Sequence, residues 1–316
     1  MSRARATWVG FGAVLLWSLL ALLTVAVAAV PPFQLVALCF ALGGALGLGW
    51  IAAGGRGFAA LRGVSPVVWL VGIGGLFGYH LCYFIALRLA PPAQASLVAY
   101  LWPLLIVLFS GLLPGERLRP AHIAGAMLAF AGAALVILGP GTAFGVTALP
   151  GYAAAAACAV IWAAYSVLSR RLGTAPTETV AVFCLATAGL ALVAHLALET
   201  TVWPQGGWAW AALVALGAGP VGLAFYLWDI GVKRGDIQLL GVASYAAPLI
   251  STLAMIAAGY AEASLGLLLS AALIAGGALV AARATQGRRA STSDQGVGET
   301  GEFGAEGPVR PERSPL

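Results

Sequence analysis

Two prolines 145 residues apart, Pro103 and Pro248, each stand inside a long apolar run, and together they constrain the fold more than any other feature of the chain. A proline within a helix has no N–H to donate, and its ring crowds the carbonyl four residues back, so the helix kinks or breaks. In a bilayer that is tolerated only where protein or a water-lined cavity satisfies the freed carbonyl. Tyr100-Leu101-Trp102-Pro103, in the run 94–113, therefore predicts a kinked helix in which Ala99 C=O loses its donor. Ser244-Tyr245-Ala246-Ala247-Pro248 predicts a second such place, with a freed carbonyl near Ser244.

The bilayer reading follows from composition. Of 316 residues 61% are hydrophobic and 9% charged, and the mean hydropathy is +0.96, outside the range of water-soluble domains. Ten apolar windows are long enough to span: 8–30, 33–53, 66–89, 92–113, 121–138, 151–168, 176–198, 208–232, 237–260 and 264–282. Arg3 and Arg5 ahead of the first window resemble the start of a signal peptide. Its length and its place in the repeat mark it instead as the first helix. Gly43/Gly47 and Gly74/Gly78 have the four-residue spacing that lets membrane helices approach closely. The four cysteines lie in apolar runs with no metal-motif spacing and read as small packing residues.

Basic residues set the orientation. With the N-terminus in the cytoplasm, the inner side receives Arg3, Arg5, Arg56, Arg62, Arg117, Arg119, Arg170, Arg171, Lys233, Arg234, Arg283, Arg288 and Arg289, and the outer side only Arg88. Both termini are then cytoplasmic, and the pI near 9.3 reflects topology and does not imply nucleic-acid binding. The separation of 145 recurs between Trp17 and Trp162, Arg88 and Lys233, and Gly132 and Gly277. Each half carries five spans, an odd number, so a duplicated second half enters the membrane inverted. The expected architecture is all-α: a first five-helix repeat over 1–140, an inverted one over 141–284, and a disordered cytoplasmic tail over 285–316, where Ser, Thr, Gly, Glu and Pro replace the apolar residues.

Titratable groups at membrane depth are few, chiefly His80 and Asp229, and no catalytic triad, metal motif or phosphate loop is present, so the sequence implies neither enzyme chemistry nor a cofactor. Asp229 and Lys233 are one helical turn apart and are expected to pair. Aromatic and hydroxyl side chains recur at matching places in both halves. Tyr79, His80 and Tyr83 share part of the third span, Trp162, Tyr165 and Ser166 belong to the sixth, and Trp228 to the eighth. With Trp17, Tyr100, Trp102, Ser244 and Tyr245 they form the predicted substrate-binding set, while Pro103 and Pro248 are the predicted gating breaks. Aromatic faces beside freed carbonyls suit a small amphipathic solute with an ammonium group. His80 is either a hydrogen-bonded packing residue or a titrating one.

Ten spans in two halves, Leu16-Trp17-Ser18, the two proline helices, and Glu116-Arg117 before a glycine-dotted span resemble the drug/metabolite transporter superfamily, in its EamA-type ten-helix branch. Tyr100-Leu101-Trp102-Pro103, Ile161-Trp162-Ala163-Ala164-Tyr165, and Ser244-Tyr245 with Pro248 are similar to the aromatic amino acid exporters of bacterial inner membranes. The resemblance implies efflux of phenylalanine, tyrosine and tryptophan by alternating access. Export of lipophilic cations or drugs, such as methyl viologen, or of other small metabolites is the alternative, and a cation is favoured if Asp229 faces the cavity. Ala246 and Ala247 stand where another aromatic is expected, which implies a roomier site. Partners are then the small-molecule substrate and membrane lipids, for a monomer or homodimer. No carboxylate lies at depth on either proline helix, so the expected transport is passive or weakly coupled, the halves rocking about Trp102, Trp162 and Tyr245.

Overall fold

The computed structural model describes residues 1–54, 57–138 and 143–297, the side chains as far as residue 284. Among the described residues ten helical segments are long and apolar enough to cross a membrane. The first is broken into α1 (Arg3–Trp17) and α2 (Leu20–Val25); the second and third are α3 (Pro32–Ala53) and α4 (Pro66–Leu89). The fourth is broken into α5 (Pro92–Ala99) and α6 (Trp102–Ser110), and the fifth to seventh are α7 (Pro120–Ile137), α8 (Leu149–Arg171) and α9 (Thr179–Leu198). A π-turn, Gly219–Leu223, interrupts the eighth between α10 (Gly206–Ala218) and α11 (Ala224–Arg234). The ninth comprises α12 (Ile237–Ala243) and α13 (Ala246–Ala257), and the tenth is α14 (Leu265–Val297).

The two proline helices break just before each proline, so the prediction of a kink becomes a full interruption. Pro103 is the second residue of α6 and Pro248 the third of α13. Those are positions where a backbone N–H has no intrahelical partner, so the ring costs little there. The other two breaks were not predicted. At the first, Ser18 Oγ donates back to Val14 C=O at 2.8 Å and Leu19 N–H turns to Leu16 C=O at 3.0 Å, a tightening that bends helices. At the other, Pro220 sits between Gly219 and Gly222.

Long helices pack in pairs: α1 on α11, α4 on α8, α3 on α9 and α7 on α14. Exchanging each span for the one five places on turns the first pair into the second and leaves the other two unchanged. Glycine sets the closest approach, because a Cβ on Gly277 would overlap the carbonyl oxygen of Gly125 across the α7/α14 contact. Gly43 and Gly47 likewise abut Gly222 and Tyr226, whereas Gly74 has open space beside it and Gly78 only ordinary contact, so that second spacing makes no close crossing.

The backbone of α14 runs on as helix to Val297, thirteen residues beyond 284. The remainder of the expected disordered tail, 298–316, lies outside the described residues.

Candidate functional site

All four interruptions contribute to one cavity of about 130 Å³. Trp17 ends α1 and Leu20 begins α2; Tyr100 and Trp102 flank the break of the fourth span; Pro220 and Val221 lie in the π-turn; Ala247 is the second residue of α13. Unbroken helices complete the wall with Tyr79 and His80 from α4 and Trp162 from α8, and α11 adds Phe225. Trp17 is the hub. Its ring centroid lies 5.1 Å from Trp228, 5.6 Å from Trp162, 6.0 Å from Phe225 and 6.3 Å from Trp102, mostly edge to face. Its Nε1–H donates to Pro220 C=O at 3.0 Å, tying the first break to the π-turn.

Six predicted residues line this cavity: Trp17, Tyr79, His80, Tyr100, Trp102 and Trp162. Of the other six, none lines it, and four brace its walls from behind. Trp228 is fully buried under Trp162, ring on ring at 6.1 Å, and its Nε1–H donates to Ser166 Oγ at 3.1 Å. Ser166 in turn donates to Trp162 C=O at 2.9 Å, so its hydroxyl orients the wall and does not line it. Tyr165 packs against Trp162 at 5.2 Å, and the Tyr83 hydroxyl bonds Ser96 at 3.0 Å while its ring stacks with Tyr79. Ser244 is buried, its hydroxyl donating to Leu240 C=O at 2.8 Å.

Tyr245 has a different task from the one expected. It is fully buried, and its hydroxyl oxygen accepts the Leu104 N–H at 3.1 Å, so the residue at one break stitches the backbone of the other. Tyr100 C=O thereby loses its helical donor, as Ala99 C=O does through Pro103. Ser244 C=O, expected to be free, accepts Ala247 N–H at 3.1 Å. Sequence reasoning missed Leu20, Pro220, Val221, Phe225 and Ala247; the Gly-Pro interruption of the eighth span was the available signal.

No charged side chain lines the cavity among the described residues. His80 Nδ1 lies 2.7 Å from Leu76 C=O, and because a carbonyl only accepts, Nδ1 carries the hydrogen and a neutral ring keeps Nε2 as an acceptor. Asp229 pairs with Lys233 at 2.7 Å, as expected, and takes a hydrogen bond from Thr177 at 2.7 Å, without lining the cavity. Beyond the cavity, at the end that carries the N-terminus, Arg3 bridges Glu116 at 3.2 Å and Asp236 at 3.4 Å. Arg170 also pairs with Glu116 and donates to Val232 and Gly235 carbonyls at 2.9 Å each. That network joins α1, α8 and the turns before α7 and α12. At the opposite end Glu199 accepts the Phe33 and Gln34 N–H groups at the start of α3, both at 3.1 Å, and contacts His195 at 3.0 Å.

Comparison with known proteins places this geometry. The EamA-like transporter family matches the chain twice, over residues 5–138 and 149–283. The aromatic amino acid exporter YddG of Ancylobacter novellus is 61% identical over 284 residues, covering 89% of this chain and 98% of the relative. The aromatic amino acid exporter YddG of Escherichia coli K12 is 27% identical over 300 residues, covering 90% and 99%. The pseudopaline exporter CntI of Pseudomonas aeruginosa is 31% identical over 163 residues, covering 51% and 55%. A solved crystal structure with 59% sequence identity superposes with a TM-score of 0.84 over 89% of this chain and 98% of its own.

Proposed function

Because the chain belongs to the EamA-like transporter family, we propose that it exports amino acids across a bacterial inner membrane, aromatic ones favoured, by alternating access through the cavity around Trp17. It is a multi-pass membrane protein, and its relatives are named as exporters; a transporter with no reaction of its own is the reading that follows. The observation that carries the substrate is the cavity's lining of aromatic rings with no charged side chain among the described residues. A substrate ring adds to the edge-to-face set, worth roughly 0.5 to 1.5 kcal/mol per pair beyond burial. The ammonium of a zwitterion meets indole faces, His80 Nε2 and the carbonyls at the break of the fourth span, while its carboxylate faces the N-terminal ends of α6 and α13. Asp229 facing the cavity would favour a lipophilic cation, and Asp229 is instead committed to Lys233 and Thr177 away from the lining.

Two inverted halves, 1–140 and 141–284, are the proposed moving parts, with both termini cytoplasmic. The twofold family match and the exchange-symmetric helix pairs support the repeat, and the distribution of arginine and lysine supports the orientation. The Arg3–Glu116–Arg170–Asp236 network then closes the cytoplasmic side and has to part for that side to open. The test is efflux from proteoliposomes loaded with labelled phenylalanine, tryptophan, threonine or a quaternary cation. Aromatic amino acids should leave fastest; exit of the cation alone would overturn the proposal. Movement is down the solute gradient, and an imposed pH gradient that drives accumulation through His80, lost in His80→Gln, would refute that part.

A further inference from the structure

A second space, apolar and about 470 Å³ in volume, lies between the first, ninth and tenth spans, apart from the transport cavity. Trp8 and Phe11 of α1, Ala243 of α12 and Ala275 of α14 are among its lining. Trp8 is 73% exposed, so the space is a groove open to the surroundings of the bundle. In the other half, α8 packs more extensively on α5 and α6 than α1 does on α12 and α13.

We propose that this groove is a binding site for an anionic phospholipid, with one acyl chain lying along α14 and the phosphodiester headgroup at Arg5 and Arg283. The argument starts from length. The groove follows α14 from Ala282 to Ala271, eleven residue steps or about 16 Å. One leaflet's hydrocarbon is about 15 Å, half of a ~30 Å core, whereas a docked transmembrane helix would need the whole thickness. The groove therefore matches a lipid tail entering from the side of the N-terminus and would leave half of any helix uncovered. No hydrophobic difference separates lipid from helix inside the bilayer, so the tail is held by contact, and an empty groove would forfeit that dispersion along its walls.

Charge selects the headgroup. Neither Arg5 nor Arg283 lines the groove; each follows a lining residue, Ala4 or Ala282, at the groove end nearest the N-terminus, and both side chains are exposed there. Asp236 lines that end too, but it is paired with Arg3 at 3.4 Å and caps α12 through the Leu239 N–H at 3.0 Å. Two basic side chains at a membrane surface attract an anionic headgroup over a zwitterionic one.

The test is native mass spectrometry of the full chain in mild detergent, exchanged against phosphatidylglycerol or phosphatidylcholine. Wild type should retain a single phosphatidylglycerol in preference to phosphatidylcholine. Ala243→Phe with Ala275→Phe fills the groove and should weaken retention about tenfold, while Leu279→Phe, exposed on α14 outside the groove, should not. Arg5→Gln with Arg283→Gln alters only exposed side chains, so it folds regardless of the groove variant, and it should abolish the headgroup preference while a lipid still binds. The proposal falls if wild type retains no phosphatidylglycerol, if the filled groove retains it undiminished, or if the double glutamine variant keeps the preference. None of these readouts involves transport, so the lipid site and the export function stand or fall separately.

Discussion

Replacing Tyr245 by Phe separates a substrate contact from a backbone staple. The ring stays packed against Phe130, 5.8 Å away, and only the hydroxyl that accepts Leu104 N–H at 3.1 Å is lost. Leu104 then has two options. Its N–H can fall back on Tyr100 C=O, its helical acceptor, which leaves the cost near 1 kcal/mol, in the range of an exchanged membrane hydrogen bond. If the Pro103 ring keeps the break open, the amide is orphaned in a dry site and the cost rises to about 2 or 3 kcal/mol. At roughly 2 to 4 °C per kcal/mol for a chain of this size, the thermal midpoint should fall by about 2 to 12 °C. Because Tyr245 does not line the cavity, KM for an aromatic amino acid should stay within about twofold of wild type. Thermal unfolding in detergent and efflux kinetics in proteoliposomes measure the two quantities. An unchanged midpoint with KM raised severalfold would refute the staple and return Tyr245 to the substrate.

Trp102→Ala should lose folded protein as well as transport, at about 3 to 5 kcal/mol, because the ring is 6% exposed and touches Tyr100, Trp17, Trp162 and Trp228; Trp102→Phe should fold and transport weakly, as yield and efflux would record. The truncation opens a gap among four indoles, so it is a packing loss as well as the loss of a cavity wall. Glu116→Gln leaves Arg3 and Arg170 without their shared carboxylate, so a cysteine at position 247 in a background lacking the native cysteines should label faster from the side that carries the N-terminus, and an unchanged rate would remove the network from the gate. Asp229→Asn should cost about 3 to 5 kcal/mol by stranding the 6% exposed Lys233 charge, and Asp229→Asn with Lys233→Met should recover much of it in thermal unfolding.

Much of the architecture was legible in the chain itself, because its physical causes are local. A bilayer demands long apolar windows, and ten of them can be counted. Proline lacks its N–H wherever it stands, so Pro103 and Pro248 announced two of the four breaks. Asp229 and Lys233 announced their pairing by helical spacing alone. What tertiary structure decided was which way side chains face. A membrane helix is apolar on every side, so it carries no stripe that tells cavity from packing. Tyr100 and Tyr245 stand at equivalent breaks, yet one lines the cavity and the other holds Leu104. Ser166 and Trp228 read as wall residues and turn out to brace Trp162. Phe225, with no polar tip to mark it, and the π-turn at Pro220 enter the site only because α11 crosses α1 where Gly10 meets Gly231. That crossing brings Trp17 to Pro220 across 203 residues of chain, a contact that no local pattern specifies.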